Sequence, residues 1–223
     1  MSSQTPASGN NRSRHGRNRP DDSSDVKLSK LLSYLLRHGA VKEGLTIRDD
    51  GSIALDELKK HKQLKSVSFD RIKQIVDTND KKRYMLFQEG SGTEAPWFIR
   101  ASQGHSMQIK KLPLTKLTSN NMPEFIIHGT TKDKLKSINA NGLSKMNRNH
   151  IHFATGLATD QKVISGMRGT ATAFIYIDKV KALNAGIEFF LSDNGVVLSE
   201  GVNKSGVIPP EYFEKIVLRD NAA

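Results

Sequence analysis

The stretch Lys27 to Gly39, KLSKLLSYLLRHG, constrains the fold most, because five leucines recur at helical spacing and then stop at a basic pair. Leu28, Leu31, Leu32, Leu35 and Leu36 fall at i, i+3, i+4, i+7 and i+8, which predicts one apolar face on an α-helix. Such a stripe must be covered by other elements, so a core forms around it. Gly39 predicts the stop, and Arg37 and His38 then fall in the last turn, where the helix dipole favours cations. Taken alone, the pair reads as a solvated helix end. Basic motifs further along the chain give it a second reading, as part of a site.

The chain has 223 residues, room for one large domain or two small ones, and 36% of them are hydrophobic, enough for real cores. It has no cysteine, which excludes disulfides and thiolate metal sites and is compatible with a reducing compartment. No apolar run approaches the ~18 residues of a membrane span, and the N-terminus lacks a signal-peptide core. A soluble, intracellular protein of the cytoplasm or nucleus is expected. The formal net charge is +11, which suggests a polyanionic partner, most simply nucleic acid. Residues 1–26 carry four arginines and three aspartates, so +10 belongs to the remainder.

Along the chain, residues 1–25 are rich in Ser, Asn, Arg and Gly and read as a disordered tail. The leucine helix is followed by a turn into a short strand at Gly51 to Ile53, a helix from Leu55 to Lys60, and a helix capped by Ser68 that buries Phe69, Ile72, Ile75 and Val76. Strands are predicted at Arg83 to Phe87 and Trp97 to Ala101. Helices followed by a two-stranded ribbon suggest a winged-helix lobe over 26–112. Residues 113–122 turn polar and irregular and read as a linker. From 123 to 219 short strands dominate: Phe125 to Ile127, Ile151 to Phe153, Phe174 to Ile177, Phe189 to Leu191, Val196 to Leu198 and Ile216 to Leu218. Helical pieces are expected from Leu135 to Asn141-Gly142, near Thr159 to Ile164, and at Lys179 to Leu183. The fold class is therefore α+β.

The chemistry-bearing residues are histidines and arginines. His15, in the tail, and His61, among lysines, look incidental; His38, His105, His128, His150 and His152 sit in LLRHG, QGHS, HGT and RNHIHF, at the ends of predicted elements. His150 and His152 have the spacing of metal ligands on one strand face, but no Asp or Glu stands nearby and Arg148 would repel a cation, so no metal is expected. There is no G-x-S-x-G elbow, Rossmann fingerprint or Walker loop. Arginine forks beside imidazoles suit a phosphate. Arg37-His38, Arg83 and Arg148 could meet in a cleft between the lobes, a usual place for a site.

LLRHG, DKKRY, IRASQGHS, FIIHGT, RNHIHF and NGVVL occur in the order and approximate spacing of the Tpt1/KptA family, the NAD-dependent tRNA 2′-phosphotransferases, and the chain resembles that family from Leu28 to Leu218. The resemblance implies a winged-helix RNA-binding lobe and an ADP-ribosyltransferase-like NAD-binding lobe, with NAD as co-substrate; a monomer that needs no metal is expected. It implies two steps: an internal RNA 2′-phosphate at the splice junction of ligated tRNA attacks the ribose C1″ of NAD and expels nicotinamide, then the 2″-hydroxyl attacks phosphorus in the RNA-2′-phospho-ADP-ribose intermediate. The products are 2′-hydroxyl RNA and ADP-ribose 1″,2″-cyclic phosphate.

By the same resemblance Arg37, His38, Arg83 and Arg148 are the catalytic side chains. His128, Gly129 and Thr130, after the first strand of the second lobe, hold the nicotinamide end, with His152 on an adjacent strand; His105, Ser106 and Arg168 are further cofactor contacts. Tyr84 replaces the family's usual phenylalanine, Asn149 stands where glutamine or histidine is common, and Gln88 to Pro96 is a longer insert between the wing strands. Glu200 matches no motif and is assigned no role. Two other readings remain at this point: a winged-helix nucleic-acid-binding protein without activity, and an ADP-ribosyltransferase acting on protein or on nucleic-acid terminal phosphates.

Overall fold

A computed structural model describes residues 24–157 and 166–219. The expected tail, but for its last two residues, and the helical piece expected near Thr159 to Ile164 lie outside the described residues. In chain order the elements are α1 (Ser24–Tyr34), a π-helical turn (Leu35–Gly39), β1 (Ser52–Ala54), α2 (Leu55–Leu58), α3 (Phe69–Asp77), β2 (Tyr84–Gln88), β3 (Trp97–Ala101) and β4 (Thr115–Lys116). Then come β5 (Ile127–Thr130), α4 (Leu135–Asn141), β6 (Leu143–Ser144), β7 (Ile151–Phe153), β8 (Ala173–Ile177), α5 (Lys179–Asn184), β9 (Phe190–Leu191), β10 (Val197–Ser199), β11 (Val207–Ile208) and β12 (Phe213–Leu218). Helices and antiparallel sheets are interspersed, an α+β fold.

The leucine stripe does what its spacing predicts: Leu32, Leu35 and Leu36 are fully buried and pack with Ile53, Ile72 and Ile99 in one core. α3 begins where Ser68 accepts a hydrogen bond from the Arg71 N–H at 3.2 Å, satisfying one of the open donors of its first turn. Its Ile72 and Ile75 face the core. β1, β3 and β2 form an antiparallel sheet, with Tyr84 opposite Ala101 and Gln88 opposite Trp97. The Tyr84 hydroxyl ties this sheet to α1, donating to the Ser29 carbonyl at 2.6 Å with Ser33 Oγ also at 2.6 Å.

The second group of residues builds the sheets β4-β9-β10-β7 and β12-β8-β5 and the pair β11-β6. All five residues of β8, AFIYI, are buried, as expected of a central strand covered on both faces. Within the expected linker, Thr115–Lys116 pairs with β9, and Leu117 is buried in the second core. The first strand of this group is shifted from its expected place. Phe125 is exposed, and the ladder runs from Ile127 through His128 and Gly129 to Thr130, opposite Tyr176 to Ala173 of β8. The apolar run FII misled because pairing with a long buried partner, rather than local apolarity, decides where a strand begins. HGT is thus inside β5 and does not follow it.

Five polar contacts among the described residues join residues 24–112 to residues 113–219. Asn149 donates from its backbone N–H to the His105 carbonyl at 2.9 Å and from its amide to the Met107 carbonyl at 2.8 Å. Asn194 donates its amide to the Lys81 carbonyl at 3.0 Å, Lys81 Nζ donates to the Met167 carbonyl at 3.2 Å, and Arg100 pairs with Asp193 at 2.8 Å.

Candidate active site

The expected last α-helical turn of LLRHG is a π turn instead. The Ala40 N–H bonds to the Leu35 carbonyl five residues back at 3.0 Å, and the Leu45 N–H repeats that spacing onto Ala40 at 2.8 Å. The wider turn leaves the Arg37 carbonyl facing the loop after β3, where it accepts the N–H groups of Ser106 at 2.9 Å and Met107 at 3.4 Å. Arg37 and His38 are thereby fixed against that loop. Periodicity could not show this, because leucines at i and i+4 satisfy either kind of turn.

The loop of residues 102–107 forms one wall. Gly104 has φ +93°, and a Cβ there would lie 3.4 Å from Arg37 Nε, so glycine lets the guanidinium lie against bare backbone. Ser106 Oγ is 2.9 Å from His38 Nδ1 and holds that ring. His105 is only 2% exposed, and neither ring nitrogen has a hydrogen-bond partner. Burial, reinforced by Arg37, pushes its pKa down to about 4, so it is neutral at pH 7.

Arg83 does not open the wing strand; it stands one residue before β2, at the end of a tight turn in which Lys82 has φ +42°. Asn79 Oδ1 accepts from the Arg83 backbone N–H at 3.1 Å and from its guanidinium at 3.3 Å. Ser102 closes the turn, donating its N–H to the Arg83 carbonyl at 2.9 Å and its hydroxyl to the Lys82 carbonyl at 3.0 Å.

From the other half, Arg148 and His150 precede β7 and His152 lies in its middle. β7 and β5 belong to different sheets, joined by the single bridge of Ile127 to Ala154. Across that seam His128 Nδ1 lies 2.9 Å from the His152 carbonyl, which fixes the His128 ring. The close approach allowed by Gly129 is used by protein: a Cβ there would fall 2.5 Å from Met167 Cγ. Thr130 is buried at the end of β5, and its carbonyl accepts the Thr172 N–H at 2.9 Å. Arg168, next to Met167, is exposed.

These elements bring the cations together. Burial above all, opposed by Tyr84 and aided by Arg83 and Arg148, lowers the Arg37 guanidinium to about 10. Burial, Arg37 and Arg148 lower His38. Burial takes His152 to about 3, with Arg148, His150 and Arg37 adding to it, and burial, Arg148 and Arg168 lower His128. Arg148 itself has an open side to water, yet desolvation and Arg168 lower it. Among the described residues no carboxylate forms an ion pair with Arg37, Arg83, Arg148 or Arg168. Arg37 Nε and Nη2 and His152 Nε2 are shut off from solvent without partners. A buried unpaired charge costs several kcal/mol, so this cluster of cations without a carboxylate partner is electrostatically suited to an anion. Among the described residues no group of three or more His, Asp or Glu side chains could hold a metal ion.

A sequence profile of the RNA 2′-phosphotransferase, Tpt1/KptA family matches residues 23–201. The chain belongs to this family. It is 44% identical over 207 residues to tRNA 2′-phosphotransferase 1 of Danio rerio, covering 92% of this chain and 91% of the relative. With tRNA 2′-phosphotransferase 1 of Bos taurus it shares 46% over 196 residues, 87% of this chain and 76% of the relative. The tRNA 2′-phosphotransferase of Saccharomyces cerevisiae is 39% identical over 210 residues, 90% and 86% of the two chains. The Tpt1/KptA chains are enzymes, and six short motifs sufficed to place this one among them.

Sequence reasoning misses the side chains that hold these segments in place: Asn79 carries no signal, Asn149 reads only as a departure, and Asn194 belongs to a motif without an assigned role. His61, read as incidental, is buried with Nε2 3.7 Å from Glu43, behind the π turn. Glu200 lies close enough to raise His150 against the dominant lowering by burial. Two surface grooves lie elsewhere, one between Gly186 and Lys204 and one between Ser119 and Asn184.

Proposed function

We propose that this chain removes an internal 2′-phosphate from RNA, at the splice junction of ligated tRNA, by transferring it to NAD. The observation that carries the reading is Arg37, whose half-buried guanidinium has two nitrogens, Nε and Nη2, without an acceptor beside Arg83 and Arg148. A phosphate presents several oxygens to planar forks of this kind. Arg37, Arg83 and Arg148 hold the RNA 2′-phosphate and offset its repulsion from the pyrophosphate of NAD. His38, kept mostly neutral by its surroundings and oriented by Ser106, donates to a phosphoryl oxygen. The same groups stabilise the charge that builds on those oxygens when the 2″-hydroxyl attacks phosphorus.

NAD is the co-substrate and supplies a ribose carbon with nicotinamide as leaving group. In this reading His128, Thr130, His152 and Arg168 line its place, with His105 and Ser106 at its edge, and Gly129, whose open face is covered by Met167, serves by letting that segment pack; the unpartnered His152 Nε2 is a donor or acceptor that a bound nucleotide would use. In this reading residues 26–112 are a winged-helix lobe that binds RNA and residues 123–219 an ADP-ribosyltransferase-like lobe that binds NAD. The separate cores of the two groups support that division. The reading takes the protein to act as a monomer. No helix among the described residues is long and apolar enough to cross a membrane, and tRNA maturation is intracellular work.

The test is product analysis. The protein, without added metal, is incubated with NAD and a short RNA bearing one internal 2′-phosphate. Nicotinamide, RNA lighter by one phosphate, and ADP-ribose 1″,2″-cyclic phosphate are expected. Inorganic phosphate as the main product, or turnover without NAD, overturns the reading. RNA or protein that gains ADP-ribose and keeps it identifies a transferase with another acceptor.

A further inference from the structure

The buried asparagine of NGVVL sits far from β2 in sequence yet touches the turn that carries Arg83. Asn194 is 3% exposed and lies in the hairpin between β9 and β10. Its amide is held from both ends. Ser192 Oγ accepts the Val196 N–H at 3.1 Å and shares its one proton between Asn194 Oδ1 and the Val196 carbonyl, each 2.9 Å away, and Asn194 Nδ2 donates to the Lys81 carbonyl at 3.0 Å. Ser192 is itself 3% exposed, so the chain of bonds is sheltered from water.

The Lys81 carbonyl is two residues before Arg83, in the turn where Lys82 is left-handed. That conformation costs a residue with a side chain about 1 kcal/mol or more, and it persists only where surrounding bonds hold it. Asn79 and Ser102 hold the turn from the first half of the chain. From the second half, the half that also carries Arg148, Asn194 holds the turn's backbone at the Lys81 carbonyl, while the Met167 carbonyl accepts from the Lys81 side chain at 3.2 Å.

We propose that Asn194 is a positioning residue for Arg83: through the Lys81 carbonyl it fixes the turn of residues 79–83 to the β9–β10 hairpin and so sets where the Arg83 guanidinium stands relative to Arg148. The inference rests on the phosphate-transfer reading for its consequence in turnover, but the contact itself does not depend on it. The adjoining Arg100 to Asp193 pair anchors the same hairpin at its neighbouring residue, so Asn194 is left with the fine placement of the turn. A displacement of about 1 Å at a group that meets a transferring phosphoryl costs on the order of 100-fold.

The experiment is a double-mutant cycle in the full chain with a 2′-phosphorylated RNA and NAD. Asn194→Ala is expected to lower kcat/KM between tenfold and 100-fold in the native background and less than twofold in an Arg83→Ala background, because a residue that acts through Arg83 has nothing left to place. Equal losses in both backgrounds would mean a general structural role and overturn the proposal. Asn194→Asp, which keeps size and acceptor but loses the donor, should fold where alanine does not and show the same dependence on Arg83. A second readout needs no turnover: the Arg83 side-chain Nε–H resonance should shift or broaden in Asn194→Asp while that of Arg71 stays in place. An unmoved Arg83 signal rejects the positioning role even if the RNA is not a substrate, whereas a moved signal with no turnover by the native protein upholds the contact and rejects the reaction.

Discussion

A guanidinium without an acceptor trades stability for binding. Arg37→Ala is expected to cut 2′-phosphate removal at least ~100-fold while leaving the unfolding free energy unchanged or raised by about 1 kcal/mol, since it removes a desolvated charge and its repulsion with Arg83 and Arg148. Arg83→Ala and Arg148→Ala should match the loss of activity, and Arg168→Ala, at an exposed side chain, should lose less. Denaturant unfolding beside steady-state kinetics checks both halves; a fall of several kcal/mol for Arg37→Ala would reveal a partner. The histidines add a pH dependence. His105 and His152 titrate near 4 and 3 in the folded protein, below the ~6.5 of an unfolded chain. As pH falls below 6.5 the unfolded state takes up protons first, so stability rises with pH up to that point and is lost on acidification. Between pH 7 and pH 5 each of the two should cost about 2 kcal/mol, and urea titrations of His105→Gln at those pH values should show the difference shrink by about that amount.

At the scale of elements, the site depends on how the π turn and the loop of residues 102–107 fit. Gly104→Ala puts a Cβ 3.4 Å from Arg37 Nε at φ +93°, so it should destabilise by about 1 to 2 kcal/mol and reduce turnover about tenfold by pushing the guanidinium aside. Thermal melts and kcat/KM check it, and unchanged turnover would show that Arg37 stands clear of the loop. The elements themselves were largely legible. The leucine stripe, the Ser68 cap and the ribbon Trp97 to Ala101 follow from local spacing and local hydrogen bonds, and they stand where the sequence puts them. What was not legible arises from partners distant in the chain. The π turn depends on where the Arg37 carbonyl finds its donors, β5 starts where β8 lets it, and Asn194 acts on a residue 113 positions away. Of the site, its residue types could be read and their meeting could not, because nothing local brings Arg83 toward Arg148.

Over the whole molecule, the charge of +11 should govern the encounter with RNA. Association with a 2′-phosphorylated RNA is expected to weaken steeply between 50 and 200 mM salt, as each phosphate contact releases a counterion, while NAD binding changes little. Parallel titrations by fluorescence and calorimetry would show it, and equal salt slopes for the two ligands would speak against a polyanion surface. The polar bonds between the two groups of residues end on or beside the segments that carry Arg83, His105, Arg148 and Arg168. On the function proposed above, the two parts of this protein cannot drift apart by even a small amount and keep a working centre between them. A slight parting that leaves both cores dry would pass unseen by circular dichroism and still silence the enzyme. On warming, catalysis should fail some degrees before the melt, and activity becomes the most sensitive gauge of whether the halves are docked.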